Sequence, residues 1–195
     1  RAVAIATGSS ASMPPIPGIA EAPIWNNRQG TTAEEVPKSL LILGGGPVGC
    51  ELAQAWASLG SEVTLFEPED RVLSHEEPFA GDQVDRALRE RHGVNLLTGT
   101  AVDSVTSTED GVTVSAGGDD HKGEKLLVAT GRHPRTDRIG LESIGVDGDR
   151  PLETDDAYRV KGHDWLYAVG DANGRALLTH MGKYQAWVGV QHLLG

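Results

Sequence analysis

The stretch Leu40-Leu41-Ile42-Leu43-Gly44-Gly45-Gly46-Pro47-Val48-Gly49-Cys50-Glu51 decides how the rest of the chain is read. Its apolar start predicts a short strand buried on both faces, and the glycines at 44, 46 and 49 follow at G-x-G-x-x-G spacing. In that pattern the first glycine permits a sharp turn, the second lets a pyrophosphate approach the backbone, and the third lets the next helix pack on the strand. Pro47 suits the first turn of that helix, where its missing N–H costs nothing. Val48, Leu52, Trp56 and Leu59 then recur at helical spacing until Gly60 offers a C-cap. The start of the helix therefore faces the turn, ready for an anion.

Working outward, Glu62 to Phe66 predicts a second strand that ends on Glu67. That acid lies at the distance expected for a carboxylate accepting hydrogen bonds from an adenosine ribose. Strand, glycine turn, helix, strand and acid together predict a dinucleotide site built from Gly44, Gly45, Gly46, Pro47, Val48, Gly49 and Glu67. A P-loop is excluded, because Gly182-Lys183 is followed by Tyr184 rather than by Ser or Thr. The carboxylate at 67 repels a ribose 2′-phosphate, so NAD is expected over NADP, with Arg71, four residues on, as the group that could reach a phosphate.

Composition narrows the class of protein. The 195 residues allow one or two domains, and 25 glycines with 23% charged residues suit an α/β protein with many tight turns. A net charge of -11 argues against nucleic acid and against an anionic membrane face as partners. No apolar run approaches the ~20 residues that span a bilayer. The single cysteine, Cys50, cannot form an internal disulfide; it reads as a buried structural thiol, and the cytoplasm is the default setting. His75, His92, His121, His133 and His163 have no metal-ligand spacing and read as surface loop residues, so no metal site is expected.

In chain order, Ala2 to Ala6 predicts a core strand running into Thr7-Gly8-Ser9, and a chain opening on such a strand is expected to be part of something longer. Prolines 14, 15, 17 and 23 predict an extended connector rather than an element. Thr31 with Glu34, or Thr32 with Glu35, offers a capping box for a short helix ending before Pro37. Pro78 to His92 predicts a surface helix closed by Gly93, and Asn95 to Leu97 a strand. Val102 to Thr106 and Val112 to Ser115 flank a turn at residues 107–111 and predict a hairpin. Lys125 to Ala129 predicts a buried strand ending in Thr130-Gly131, a miniature of Ala6-Thr7-Gly8 that suggests two related nucleotide-binding units. After a loop-rich stretch, Trp165 to Val169 predicts a last strand ending on Gly170-Asp171, an acid that is also placed to cap a helix. Leu178-Thr179-His180 then leads into a helix through Ala186, Val190 and Leu193.

Taken together, Ala6 to Ser9, Gly44 to Glu51, Ala129 to Arg132, Gly170-Asp171 and Leu177 to His180 resemble the pyridine nucleotide-disulfide oxidoreductases, of the dihydrolipoamide dehydrogenase and mercuric reductase kind. The resemblance covers essentially the whole chain. It implies a Rossmann-like α/β domain, a parallel sheet with helices plus an antiparallel β-meander, inserted in part of an FAD-binding domain. On that template residues 37–133 are the NAD(P) domain, and 1–20 and 134–195 are partial FAD-domain segments. The flavin glycine fingerprint, the Cys-x4-Cys redox pair and the C-terminal interface domain with its histidine would lie outside this chain, which alone would be inactive.

The same resemblance implies that the longer protein passes hydride from NADH to FAD and on to a disulfide, quinone or metal acceptor, as a homodimer acting on a small-molecule or disulfide substrate. The alternative is a stand-alone NAD-binding module or sensor without flavin. By resemblance, Gly44 to Gly49 take the NAD pyrophosphate, Val102 the adenine edge and Gly131 the approach of the nicotinamide half. Thr7, Gly8, Gly170 and Asp171 belong to the flavin side, with Asp171 on ribitol or phosphate hydroxyls. Leu177, Leu178, Thr179 and His180 would bring a helix start to the flavin ring. Glu51 would be the catalytic glutamate beside flavin and nicotinamide. Glu51 as a solvated helix residue, Val102 as plain core and His180 as a backbone contact are the alternatives at those positions.

Overall fold

The computed structural model describes residues 1–195. Its strands and helices in chain order are β1 (Val3–Ile5), β2 (Ser9–Ala11), β3 (Ile24–Trp25), α1 (Asn27–Thr32), β4 (Ser39–Leu43), α2 (Pro47–Ser58), β5 (Glu62–Glu67) and α3 (Pro78–His92). There follow β6 (Asn95–Thr98), β7 (Val102–Thr108), β8 (Gly111–Ala116), β9 (Asp119–Gly123), β10 (Lys125–Val128), β11 (Arg132–Pro134), β12 (Leu166–Ala168) and α4 (Thr179–Leu194). The chain forms two compact units, one of residues 11–131 and one of residues 1–10 with 132–195.

The unit of residues 11–131 is organised by a five-stranded sheet in the order β3-β10-β4-β5-β6, every pairing parallel. Alternation along each strand sends side chains to opposite faces. Leu40, Ile42, Val63, Leu65, Leu96 and Leu127 meet Leu52, Ala53 and Trp56 of α2 and Leu88 of α3. Leu41, Leu43, Phe66, Leu126 and Val128 meet Val105, Val112 and Val114 of the antiparallel meander β7-β8-β9. Both faces are covered, which is why these strands are continuously apolar. The order reverses at β4, which has β5 on one side and β10 on the other, so the crevice past its C-terminal end is the natural ligand position in such a sheet.

Two expectations fail in the first part of this unit. The proline-rich connector contains a 3-10 turn at Ile19–Glu21, and just past Pro23 lies the unexpected edge strand β3, whose Ile24 and Trp25 pair with Leu126 and Leu127. A two-residue strand gives no periodic signal, so the surrounding prolines mask it. The capping box belongs to Asn26 and Gln29, not to Thr31 or Thr32: the Asn26 side chain accepts from the Arg28 N–H at 2.8 Å, and the Gln29 side chain accepts from the Asn26 N–H at 3.1 Å. Thr31 and Thr32 instead donate back to carbonyls inside α1. The helices α2 and α3 match the expected spans closely, although Leu59, expected on the buried stripe of α2, is exposed at its end.

The unit of residues 1–10 and 132–195 has a smaller core of Ile5, Leu141, Leu152, Val160, Leu166, Ala168 and Ala172. Its β1 and β12 form a two-stranded parallel sheet pairing Val3 with Leu166 and Ile5 with Ala168. β2 and β11 make a second short ribbon. The expected core strand at the chain start is buried only at Ile5, since β1 has one neighbour and Val3 is 51% exposed. The stripe expected on α4 also faces outward: Ala186, Val190 and Leu193 are exposed, whereas Gln185 and Gly189 are buried. Gln185 is seated by polarity, its Oε1 accepting from the Gly170 N–H and the Asn173 amide at 2.8 Å each.

Candidate dinucleotide site

The glycine turn joins β4 to α2 at the switch point of the sheet. Its glycines are present for different reasons. Gly44 has φ +103, and a Cβ there would stand 2.6 Å from the Ala129 carbonyl oxygen at the end of β10. Gly49 lies in α2 so close to the turn that a Cβ would come within 1.9 Å of the Gly44 oxygen. At Gly45 a Cβ would stand 2.9 Å from both Glu67 and Val72. Gly46 alone among them has ordinary extended backbone, φ -72 and ψ -177, and no atom within 4 Å of the position that a Cβ would take.

Nothing in the protein therefore demands a glycine at 46. What remains is room for something approaching the backbone from outside. Gly46 is also the N-cap of α2 and supplies no side-chain cap, while Pro47 occupies the first helical position. The first-turn N–H groups of α2 and the positive end of its dipole thus point into the space that the absent side chain leaves open.

Glu67, at the end of β5, is 8% exposed and lies directly against this turn. Its Oε2 accepts from the Gly45 N–H at 2.6 Å and its Oε1 from the Glu69 N–H at 2.9 Å. Arg71 is committed elsewhere: its guanidinium donates to the carbonyls of Leu73 at 3.0 Å, Ser74 at 2.6 Å and Glu76 at 2.9 Å. For Arg71 to turn to a ribose phosphate it would have to give up these three contacts, although the Leu73 carbonyl would keep the Glu76 N–H at 2.9 Å.

Cys50 sits beneath the turn, its thiol donating to the Gly45 carbonyl at 3.2 Å. Burial, with the negative charges of Glu67, Glu51 and Asp85 adding to it, pushes the thiol up to about 12. A thiol so held is a structural hydrophobe, as expected. Glu51 is exposed on α2 one position further on. Val102 is half-buried in β7 and packs on the core cluster of the meander side. Gly131 closes this unit with φ +133, and its carbonyl accepts from the Ser12 N–H at 3.0 Å.

In the other unit the residues expected on the flavin side also gather. Thr7 and Gly8 follow β1, Thr7 exposed and Gly8 half-buried, with Gly8 at φ +73. Gly170, at φ +66, opens a 3-10 turn over Gly170–Asn173 and lies so close to α4 that a Cβ at Gly182 would stand 3.4 Å from its Cα. Asp171 is not a helix cap: that turn has Val169 at its N-cap and no side-chain cap. The Asp171 carboxylate instead accepts from the Ser9 hydroxyl and lies 3.8 Å from the Arg132 guanidinium. Arg132 in turn donates to the Ser9 hydroxyl at 2.7 Å and the Ser9 carbonyl at 3.0 Å. Neither partner was expected, although both stand in the quoted motifs. Leu177 and Leu178 are exposed ahead of α4, and Thr179 and His180 are exposed in its first turn, which no side chain caps.

The histidines are less uniform than the sequence implied. The His121 ring in β9 meets Phe66 edge-on at 5.0 Å. His92 closes α3 with its Nδ1 3.3 Å from the Ser58 hydroxyl, and His163 Nε2 lies 3.2 Å from the Ile144 carbonyl. No group of three or more His, Cys, Asp or Glu side chains is arranged to hold a metal ion, and no helix is long and apolar enough to cross a membrane.

Comparison with known proteins accords with this geometry. The sequence model of the family described as "Pyridine nucleotide-disulphide oxidoreductase" matches residues 1–188. The chain is 34% identical to a dihydrolipoyl dehydrogenase of Halobacterium salinarum over 98% of its length and 41% of that protein. It is 35% identical to a mercuric reductase of Acidithiobacillus ferrooxidans over 91% of its length and 32% of that protein. Among solved structures, the copper(II) complex of the HOCl-induced flavoprotein disulfide reductase RclA from Escherichia coli superposes on the whole chain with a TM-score of 0.91 at 29% identity, across 44% of that structure. The chain thus spans less than half the length of each of these three.

Proposed function

The chain belongs to the pyridine nucleotide-disulphide oxidoreductase family, and from that premise we propose that residues 11–131 bind NADH so that hydride passes to FAD and on to a disulfide, quinone or metal acceptor in the longer protein. The family is one of FAD-dependent oxidoreductases that use NAD(P)H. The observation that carries the reading is Gly46: a glycine with ordinary backbone and open space around its missing side chain, set on the capless start of α2 at the switch point of a parallel sheet.

In this reading the first-turn N–H groups of α2 hold the pyrophosphate, and Gly44 and Gly49 let β4 and α2 approach closely enough to present them. Glu67 accepts from the adenosine ribose hydroxyls, since each carboxylate oxygen that takes one backbone N–H retains a second acceptor position. Its negative charge disfavours a 2′-phosphate. Arg71, held by three backbone carbonyls, offers no compensating cation, so NAD is selected over NADP by about 1 to 3 kcal/mol. Glu51, exposed on the early turns of α2, orients the reacting nicotinamide ring.

The residues of the other unit fit a flavin. Asp171, oriented by Ser9 and Arg132, accepts from ribitol hydroxyls. The uncapped start of α4 favours negative charge on the isoalloxazine ring. FAD, when bound, supplies the two-electron relay between nicotinamide and acceptor. The test is the visible spectrum of the longer protein before and after NADH. A flavin band that bleaches on addition of NADH is the expected result. A colourless protein that still binds NADH would instead establish the stand-alone NAD-binding reading.

A further inference from the structure

The hydrogen bonds of Glu67 point to a second role that deepens the NAD-site reading and rests on it. Gly45 is gripped from both sides of its peptide. Its N–H donates to Glu67 Oε2 at 2.6 Å, and its carbonyl accepts from the Leu73 N–H at 2.9 Å and from the Cys50 thiol at 3.2 Å. Glu67 Oε1 meanwhile takes the Glu69 N–H at 2.9 Å, fixing the departure of the chain from β5. Arg71 closes the same loop by gathering the carbonyls of Leu73, Ser74 and Glu76.

One buried carboxylate therefore ties the glycine turn to the loop that follows β5. Gly46, the position left open for the pyrophosphate, is the next residue along from the gripped one. Removing the carboxylate takes the acceptor from both N–H groups, and the buried Gly45 N–H left without a partner costs enough to shift the turn. No side chain on Gly45 could substitute, because a Cβ there would collide with Glu67 and Val72 at 2.9 Å each.

We propose that Glu67 is a positioning residue for the pyrophosphate turn as well as the ribose acceptor, so that NAD selectivity cannot be reversed by removing this acid alone. A carboxylate serving only the ribose could be exchanged for a small neutral residue, relieving its repulsion of a 2′-phosphate. A carboxylate that also locks the turn cannot, because the pyrophosphate site common to both coenzymes loosens with it.

The experiment compares the full chain with Glu67→Ala and Glu67→Gln by calorimetry, using NADH, NADPH and an NADH analogue lacking both adenosine ribose hydroxyls. Amide hydrogen exchange at Gly45 and Glu69 is followed without ligand. Glu67→Ala is expected to weaken the dideoxy analogue by about tenfold or more, although that ligand has no hydroxyls for Glu67 to accept from, and to gain no useful NADPH affinity. Glu67→Gln keeps one acceptor and presents an amide donor at the other, so only one of the two N–H groups should stay protected. Should Glu67→Ala fail to fold, Glu67→Gln carries the test alone through that exchange pattern.

An unchanged affinity for the dideoxy analogue in Glu67→Ala would overturn the proposal, as would NADPH binding in that variant at the affinity the parent chain has for NADH. Unaltered exchange at both amides in Glu67→Gln would overturn it too. Failure of the parent chain to bind NADH would defeat the NAD-site reading instead, and the amide exchange would still decide whether Glu67 locks the turn.

Discussion

In the unit of residues 11–131 the turn at Gly44–Gly49 is fixed by backbone and by one carboxylate, between two core clusters that cover both faces of a five-stranded sheet. In the unit of residues 1–10 and 132–195 the corresponding residues rest on a two-stranded sheet, and α4 is seated by Gln185 and two close glycines while Trp187, 60% exposed, and Val190 face outward. The first region is packed between two core clusters; the second has one smaller apolar core, and its α4 is held by the hydrogen bonds of Gln185. A site whose geometry is over-determined by packing can be probed one atom at a time, and the sharpest probes are its glycines.

The largest effect is expected at Gly49. A Cβ placed 1.9 Å from the Gly44 oxygen cannot be absorbed by a side-chain rotation, so Gly49→Ala should cost about 3 kcal/mol or more of stability, read as a fall in the midpoint of denaturant unfolding. Next in size is Glu51 in the flavin-loaded longer protein. Glu51→Gln should slow flavin reduction by roughly 10- to 1000-fold while NAD affinity changes little, as stopped-flow reduction at saturating NADH would record. A parental rate would make Glu51 a solvated helix residue.

Gly46→Ala is the counterpart of Gly49→Ala within the same turn. With open space at its Cβ and ordinary backbone, it should leave stability within about 0.5 kcal/mol, yet weaken NADH binding by about 10- to 100-fold. Equal damage to stability at 46 and 49 would erase the distinction between fold glycines and ligand glycines.

A smaller effect belongs to Cys50. Its thiol ordinarily titrates near 9 and is pushed up to about 12 in the folded chain, so above pH 9 the folded state holds a proton that the unfolded state has released. The contribution is complete below pH 9 and is lost as pH rises from 9 towards 12. Thermal unfolding across that range should show the fall, and Cys50→Ala should flatten it. A thiol that reacts readily with alkylating reagent at neutral pH in the folded chain would contradict the burial on which this rests.

The contrast between the two regions also governs what could be read in advance. The segment from Leu40 to Glu67 was legible because each glycine punctuates a strongly apolar element, and the helix at Pro78–His92 because Pro and Gly bracket it. β3 was hidden, since Ile24 and Trp25 become a strand only by pairing with β10, about a hundred residues later in the sequence. The grip of Arg71 on three carbonyls depends on a loop folding back on itself, which no spacing encodes. On α4 the apolar period pointed to the wrong face, because Gln185 is buried by two hydrogen bonds rather than by hydrophobicity. Ser9 and Arg132 reach Asp171 from distant parts of the chain, so their partnership is visible only in three dimensions.

The central claim is that the turn of residues 11–131 is a complete NAD site, with selectivity set by Glu67 and left uncompensated by Arg71. Calorimetric titration of the 195-residue chain with NADH and with NADPH tests it most directly. The account predicts one NADH site per chain and NADPH binding weaker by about 5- to 150-fold. Equal affinity for the two coenzymes, or no binding of NADH, would contradict it.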